Sequence, residues 1–238
     1  MDMDFEQALR DETLGIVADT ATPDQPPATL LIAFGGLASR LDGIPPFEFL
    51  SALSGTAARR VFVRDLNQSW YQEGVRGVST TLDATTTALR ALVTESGAHR
   101  VVTLGVSAGG FAAIYFGVAL QADFVLAFGP QTFTSGRLRR WHRDRRWSEE
   151  IARIDNLDPT TTCRDLKPIV GAQARERRTP IEIHYGRRSR VDRAHARRLR
   201  RFENVTLIEH DAGHNPAKAL KDAGELDAVL RRAVTPPA

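Results

Sequence analysis

Val101-Val102-Thr103-Leu104-Gly105-Val106-Ser107-Ala108-Gly109-Gly110-Phe111 joins a β-branched run to a helix-forming run that continues to Leu120. Strand, Gly-x-Ser-x-Gly, helix is the pattern of a nucleophile elbow. A serine at the tip of a sharp strand-to-helix turn sits on strained backbone. A side chain two residues before or after it would collide with the neighbouring strand or helix, so both places call for glycine. Such a turn pushes the Ser107 hydroxyl out over the end of a sheet. It also aims the first amides of the following helix at the place where an oxyanion would form.

Outward from this stretch, β-rich and helical runs alternate. Ala28 to Phe34 is continuously apolar, as a strand buried on both faces must be. Arg60 to Arg64, Asp123 to Phe128, Ile181 to Tyr185 and Val205 to Glu209 read as further strands, with a short one at Gly15 to Ala18. Ser79 to Glu95 carries Leu82, Ala88, Leu89 and Leu92 at helical spacing, and Gly97 ends it. Helices are also expected near Phe47 to Leu53, over 137–154, from Asp192 to Arg201 and from Ala217 to Val234. This alternation predicts an α/β protein with a doubly wound, mostly parallel sheet. It forms a single domain over 1–238, with an acidic, Pro-interrupted leading segment at 1–27. Only residues 131–160 leave room for a small cap.

Composition narrows the classes. A chain of 238 residues supports one substantial core. No apolar run approaches the ~20 residues needed to span a bilayer. The acidic start, Met1 to Glu6, has neither the basic end nor the apolar centre of a secretory leader, so a cytoplasmic protein is expected. The single cysteine, Cys163, excludes an internal disulfide and a multi-cysteine metal site. It lies in no glycine turn and reads as a passive thiol.

The net charge of +3 hides an asymmetry: residues 137–201 hold 19 Arg and Lys167 against nine acids, or +11, leaving −8 elsewhere. An Arg-rich surface attracts anions. The simpler reading is a solvated face, and nucleic acid is not expected as a partner. Arg139-Arg140-Trp141-His142-Arg143-Asp144-Arg145-Arg146-Trp147 is the part that argues otherwise, because it interleaves aromatics with base.

A serine hydroxyl needs a base, a group to orient that base, and oxyanion donors. In a parallel sheet these belong at strand exits on one edge. After the last strand, His210 and His214 compete for the base. His214 follows Gly213 at the mouth of the closing helix, where a short loop can swing it over Ser107; His210 belongs to the strand end. The orienting acid should follow the preceding strand. Three residues after Gly186 the chain has Ser189, and the first acid is Asp192, which could equally cap the next helix. The oxyanion donors are expected to be the amide of Ala108 and one from Gly35-Gly36, where two glycines let backbone approach a substrate closely. Trp70, Tyr71, Gln131 and Phe133 leave strand exits on the same edge and are expected to rim the substrate pocket.

Ser107 within Gly-Val-Ser-Ala-Gly-Gly, Asp192, His214 within Gly-His-Asn and Phe34-Gly35-Gly36 together resemble the α/β-hydrolase superfamily, over about residues 28–234. The loops Trp70-Tyr71-Gln72 and Phe128 to Phe133 look like a distinct small bacterial branch, for which the resemblance carries no substrate. It implies a Ser-Asp-His triad acting on a carboxyl group, with no metal and no organic cofactor. The expected substrate is a small-molecule or acyl-carrier-type ester or thioester. An acyltransferase or an amide-cleaving peptidase would use the same triad. A reading of another class is a non-catalytic binding protein that meets an anionic partner through the 137–201 surface. The sequence says nothing of oligomeric state.

Overall fold

The computed structural model describes residues 11, 13–18, 28–37 and 47–235. Seven strands form one sheet: β1 (Ile16–Ala18), β2 (Thr29–Phe34), β3 (Arg59–Val63), β4 (Arg100–Val106), β5 (Phe124–Phe128), β6 (Ile181–Gly186) and β7 (Val205–His210). Their order is β1-β3-β2-β4-β5-β6-β7. Only β1 is antiparallel, pairing Ile16 with Val63 at one edge. All other pairs are parallel. The expected doubly wound, mostly parallel sheet is therefore present, and most of the expected leading segment (1–27) lies outside the described residues.

The period of two in β2 builds two cores at once. Leu30, Ile32 and Phe34 face one layer, which holds the helix after Ser107, α2 (Ala108–Leu120). Leu31 and Ala33 face the other, with Phe62, Leu104, Leu126 and Leu230. All six residues of β2 are buried, which explains its unbroken apolar run. The helix α2 is apolar on nearly every side because it is wedged against the sheet centre. Phe34 stacks on its Phe116 at 5.3 Å, and burying each such ring stabilises by about 1.5–3 kcal/mol. Before it lies α1 (Leu82–Ser96), whose N-cap Thr81 accepts from the amide of Ala84 and whose C-cap Gly97 is left-handed at φ 62°.

Three sequence-based expectations differ from the structure. The stretch from Phe47 to Leu53 forms turns rather than a helix, with Phe49 at φ 64°; Pro45-Pro46, before it, lies outside the described residues. The 137–154 helix is two short ones, α3 (Gly136–His142) and α4 (Ser148–Asp155), because Arg143 and Trp147 take left-handed φ values of 57° and 55°. The closing helix is likewise split into α7 (Pro216–Asp222) and α8 (Leu226–Val234) around Gly224 at φ 72°. Between α4 and α7 in chain order lie α5 (Leu166–Gly171) and α6 (Arg190–Arg198). Among the described residues no helix is long and apolar enough to cross a membrane.

Every parallel strand ends at the same edge, so Gly35, Asp65, Ser107, Gly129, Arg187 and Asp211 leave the sheet together. Open α/β sheets place their ligands at this edge.

Candidate active site

Ser107 sits at the end of β4 with φ 53° and ψ −114°, a backbone conformation that L-residues rarely adopt. Its neighbours hold it there. The amide of Ser107 donates to the carbonyl of Phe128 at 2.9 Å, and the amide of Gln131 donates to the carbonyl of Ser107 at 3.1 Å. The glycine argument holds atom by atom: a Cβ on Gly105 would lie 2.1 Å from the carbonyl oxygen of Gly109, and one on Gly109 would lie 2.1 Å from that of Phe34.

His214 reaches this serine from the loop between β7 and α7. Its Nε2 is 3.0 Å from Ser107 Oγ. On the other side, Nδ1 lies 3.0 Å from each carboxylate oxygen of Asp192. Nδ1–H therefore donates to the acid and leaves Nε2 as the acceptor for the serine proton. Asp192 is in the first turn of α6, and Ser189 is the N-cap, its Oγ accepting from the Asp192 amide at 3.2 Å. The capping role went to the serine, which freed the aspartate. Its side chain is fully buried. Burial alone would raise its pKa, but the His214 hydrogen bond, the His214 charge and Arg146 hold it below the usual carboxylate value. His210 is occupied elsewhere: its Nε2 meets His184 Nδ1 at 2.8 Å, and His184 Nε2 meets Glu182 at 2.7 Å.

A second layer holds the acid, and the sequence reading did not identify it. Arg146 Nη1 bonds Asp192 Oδ1 at 2.9 Å and stands 3.1 Å from His214 Nδ1. The rest of its guanidinium is fixed by Asp144, at 2.9 Å from both Nε and Nη2. Asp144 also takes a bond from His195 Nε2 at 3.1 Å. Burial pushes the Asp144 carboxyl up, but the His195 and Arg146 bonds drive it far down, so it stays ionised. Burial, partly opposed by the Asp144 bond, lowers the His195 pKa. The signal was present in the Arg- and Trp-rich run at 139–147. Spacing could not say which of its arginines turns inward.

Gln131 follows β5 and places its Oε1 3.3 Å from Ser107 Oγ. Trp70 Nε1–H donates to the same oxygen at 3.0 Å. An indole nitrogen only donates, so this bond fixes which end of the Gln131 amide faces the serine. Trp70 and Tyr71 both have left-handed backbone. They are held by Asp65, whose buried carboxylate accepts from the amides of Asn67 at 3.1 Å, Ser69 at 2.7 Å and Tyr71 at 3.0 Å. Tyr71 Oη donates into the carbonyls of Gly35 and Val63, at 2.9 and 3.1 Å. Phe133 stacks on His195 at 3.9 Å. Trp70, Tyr71, Gln131 and Phe133 are all buried. The sequence reading expected all four at a pocket rim; here Gln131 touches Ser107 and Trp70 holds Gln131, whereas Tyr71 and Phe133 find their partners elsewhere in the interior, and loop aromatics that find an interior partner lose their exposed face.

The expected oxyanion donors are placed unequally. Ala108 is the first residue of α2, so its amide has no preceding turn to bond to. Gly35 differs from expectation: its amide donates to the carbonyl of Val63 at 2.8 Å and is used by the fold. Gly36 lies beside Ser107, a Cβ on it falling 3.6 Å from the Cβ of Ser107, but its amide bonds the carboxyl of Glu48, which burial, partly opposed by that bond, pushes up to about 7. Beside these groups a cavity of about 260 Å³ is lined by Glu48, Phe49, Val106, Asn215, Ala217 and Leu226 among others. Val106 and Asn215 directly flank Ser107 and His214 in the chain.

The sheet order, the elbow after β4 and the positions of Ser107, Asp192 and His214 at one edge define an α/β-hydrolase fold. Solved structures share it. A mutant of the capsule O-acetyltransferase of Neisseria meningitidis serogroup A, in complex with CoA, superimposes with a TM-score of 0.65 at 10% identity, covering 98% of this chain and 100% of that one. The fluorophosphonate-binding serine hydrolase F of Staphylococcus aureus gives 0.60 at 12% identity over 93% and 92% of the two chains. An α/β serine hydrolase without lid from Xanthomonas campestris gives 0.52 at 15%, over 94% and 90%. No family model matches the chain, and no curated protein sequence matches it.

Proposed function

We propose that this protein is a serine enzyme that cleaves a carboxylic ester or thioester through an acyl-enzyme on Ser107. The observation that carries the reading is the unbroken chain Ser107 Oγ, His214 Nε2, His214 Nδ1, Asp192, with 3.0 Å at both links. Ser107 Oγ attacks the carbonyl carbon while His214 Nε2 takes the hydroxyl proton. Asp192 keeps Nδ1 protonated and stabilises the imidazolium. The oxyanion is received by the Ala108 amide, and by the Gly36 amide once the substrate oxygen displaces Glu48. Collapse breaks the bond to the leaving alcohol or thiol, which takes the proton from His214. Water, activated by His214, then releases the acid.

Fluorophosphonate labelling tests this. The folded protein should label at Ser107, and Ser107→Ala should abolish both labelling and turnover of a p-nitrophenyl ester panel. A folded protein that neither labels nor turns over any ester or thioester overturns the reading.

In a second reading the acyl group passes to an acceptor hydroxyl instead of water. The likeness to an O-acetyltransferase in complex with CoA favours it, and the same triad serves. Acetyl-CoA consumption that rises on adding a hydroxyl acceptor separates the two.

A further inference from the structure

The largest of the described cavities next to the catalytic framework is not the one beside Ser107. It holds about 840 Å³ and is lined by Arg137, Arg140, Trp141, His142, Asp165 and Arg198 with Ser135 and Leu138. That is well above the 260 Å³ beside the nucleophile. Three features of its wall point to one kind of ligand.

Trp141 is 81% exposed, while the other two tryptophans, Trp70 and Trp147, are packed into the protein. An indole left open at the mouth of a cavity offers a stacking face. The lining has three arginines against one acid, Asp165, which Arg198 already neutralises. Arg137 and Arg140 are exposed and have no acid partner among the described residues. His142, also on this wall, has its pKa held below the ordinary value by burial, then by Arg198 and Arg190. A flat π-face beside unneutralised guanidinium groups matches a phosphorylated nucleotide. The ring stacks and the arginines take the phosphates.

The cavity is tied to the triad. His142 packs on Phe133 at 5.3 Å, two residues beyond Gln131, whose Oε1 faces Ser107. Four residues past His142, Arg146 clamps Asp192. One segment, 131–146, thus builds both the wall of the cavity and the brace of the nucleophile.

We infer that the Arg137–Arg140–Trp141–Arg198 cavity is the docking site for the phosphorylated adenosine end of a coenzyme A thioester whose acyl group is delivered to Ser107. This rests on the acyl-enzyme reading and selects the thioester as donor. A single-stranded nucleic acid would meet the same chemistry, but a concave site with one open indole suits one base better than a run of them.

Binding is measured in the Ser107→Ala protein, by titration calorimetry with CoA and with dephospho-CoA, so chemistry does not enter. Trp141→Ala should weaken CoA by about five- to a hundredfold, the worth of one stacked base, and Trp141→Tyr should recover most of it. Dephospho-CoA should bind more weakly than CoA, and Arg137→Gln with Arg140→Gln should erase that difference. Both positions are exposed, so the variants should fold. The inference is overturned if CoA does not bind, if binding ignores all these substitutions, or if oligo(U) competes more strongly than CoA. Fluorophosphonate labelling of wild-type Ser107 separates the two proposals: CoA binding without labelling sinks the acyl-enzyme and leaves the nucleotide site standing, and labelling without CoA binding does the reverse.

Discussion

Asp192→Asn is the most informative single change in the proposed triad. The carboxylate is fully buried, and its two oxygens stand equidistant from His214 Nδ1 at 3.0 Å. In the variant one of those positions becomes an NH₂ donor. Arg146 decides which one, because a guanidinium can only donate and bonds the Oδ1 position at 2.9 Å. The amide oxygen is therefore pinned at Oδ1, and the NH₂ group occupies the place of Oδ2, against Nδ1. Nδ1 then meets one acceptor and one donor in place of two acceptors, which favours the tautomer with its proton on Nε2, facing Ser107, in which His214 no longer acts as a base. The equivalent change in a serine triad with intact geometry costs about 10⁴ in kcat, or about 5.4 kcal/mol of transition-state stabilisation. Turnover of p-nitrophenyl esters should fall by about 10³–10⁴, with circular dichroism unchanged and the fluorophosphonate labelling rate reduced in parallel. A folded variant that keeps more than about a tenth of wild-type kcat would refute Asp192 as the orienting acid.

Three further outcomes follow from the same contacts. Arg146→Gln leaves the buried Asp144 and Asp192 without their shared cation; since the Arg146 side chain is 27% exposed, the loss in unfolding free energy should sit near the low end of the range for a broken buried pair, about 3 kcal/mol, read by urea denaturation. Gly109→Ala forces a Cβ to within 2.1 Å of the carbonyl oxygen of Phe34, so its thermal unfolding should show a loss above about 3 kcal/mol, with labelling of Ser107 abolished. Glu182 is buried, which alone would raise its pKa, but bonds from His184 and Arg232 bring it from 4.5 down to about 2. A depressed acid stabilises above its unfolded value, so its contribution, roughly 3 kcal/mol, is present above about pH 4.5 and lost as pH falls toward 2. The melting temperature should drop steeply across that window, and Arg232→Gln should flatten the slope.

The elbow was legible because its constraints are local. Two glycines around Ser107 are demanded by clashes within the turn itself, and β2 announces its burial on both faces by an unbroken apolar run. Chain order also placed Asp192 and His214 after the last two long strands, which is where the structure puts them. Phe47 to Leu53 and the breaks at Arg143, Trp147 and Gly224 were not legible, since apolar spacing says nothing of a single left-handed residue inside a helical pattern.

By itself, then, the sequence determined the parallel sheet, the turn that strains Ser107, and the strand exits from which a base and an acid can come. Tertiary structure alone decided which groups meet. Ser189 rather than Asp192 caps α6. His210 turns to His184 and leaves the serine to His214. Of the many arginines between 137 and 201, Arg146 lies against Asp192 and His214. Trp70, Tyr71 and Phe133 pack inward while Trp141 stays out. The physical reason is range: backbone strain and strand burial act within a few residues, whereas a hydrogen bond or ion pair in a dry interior depends on side chains that are distant in sequence and meet only after the sheet has closed.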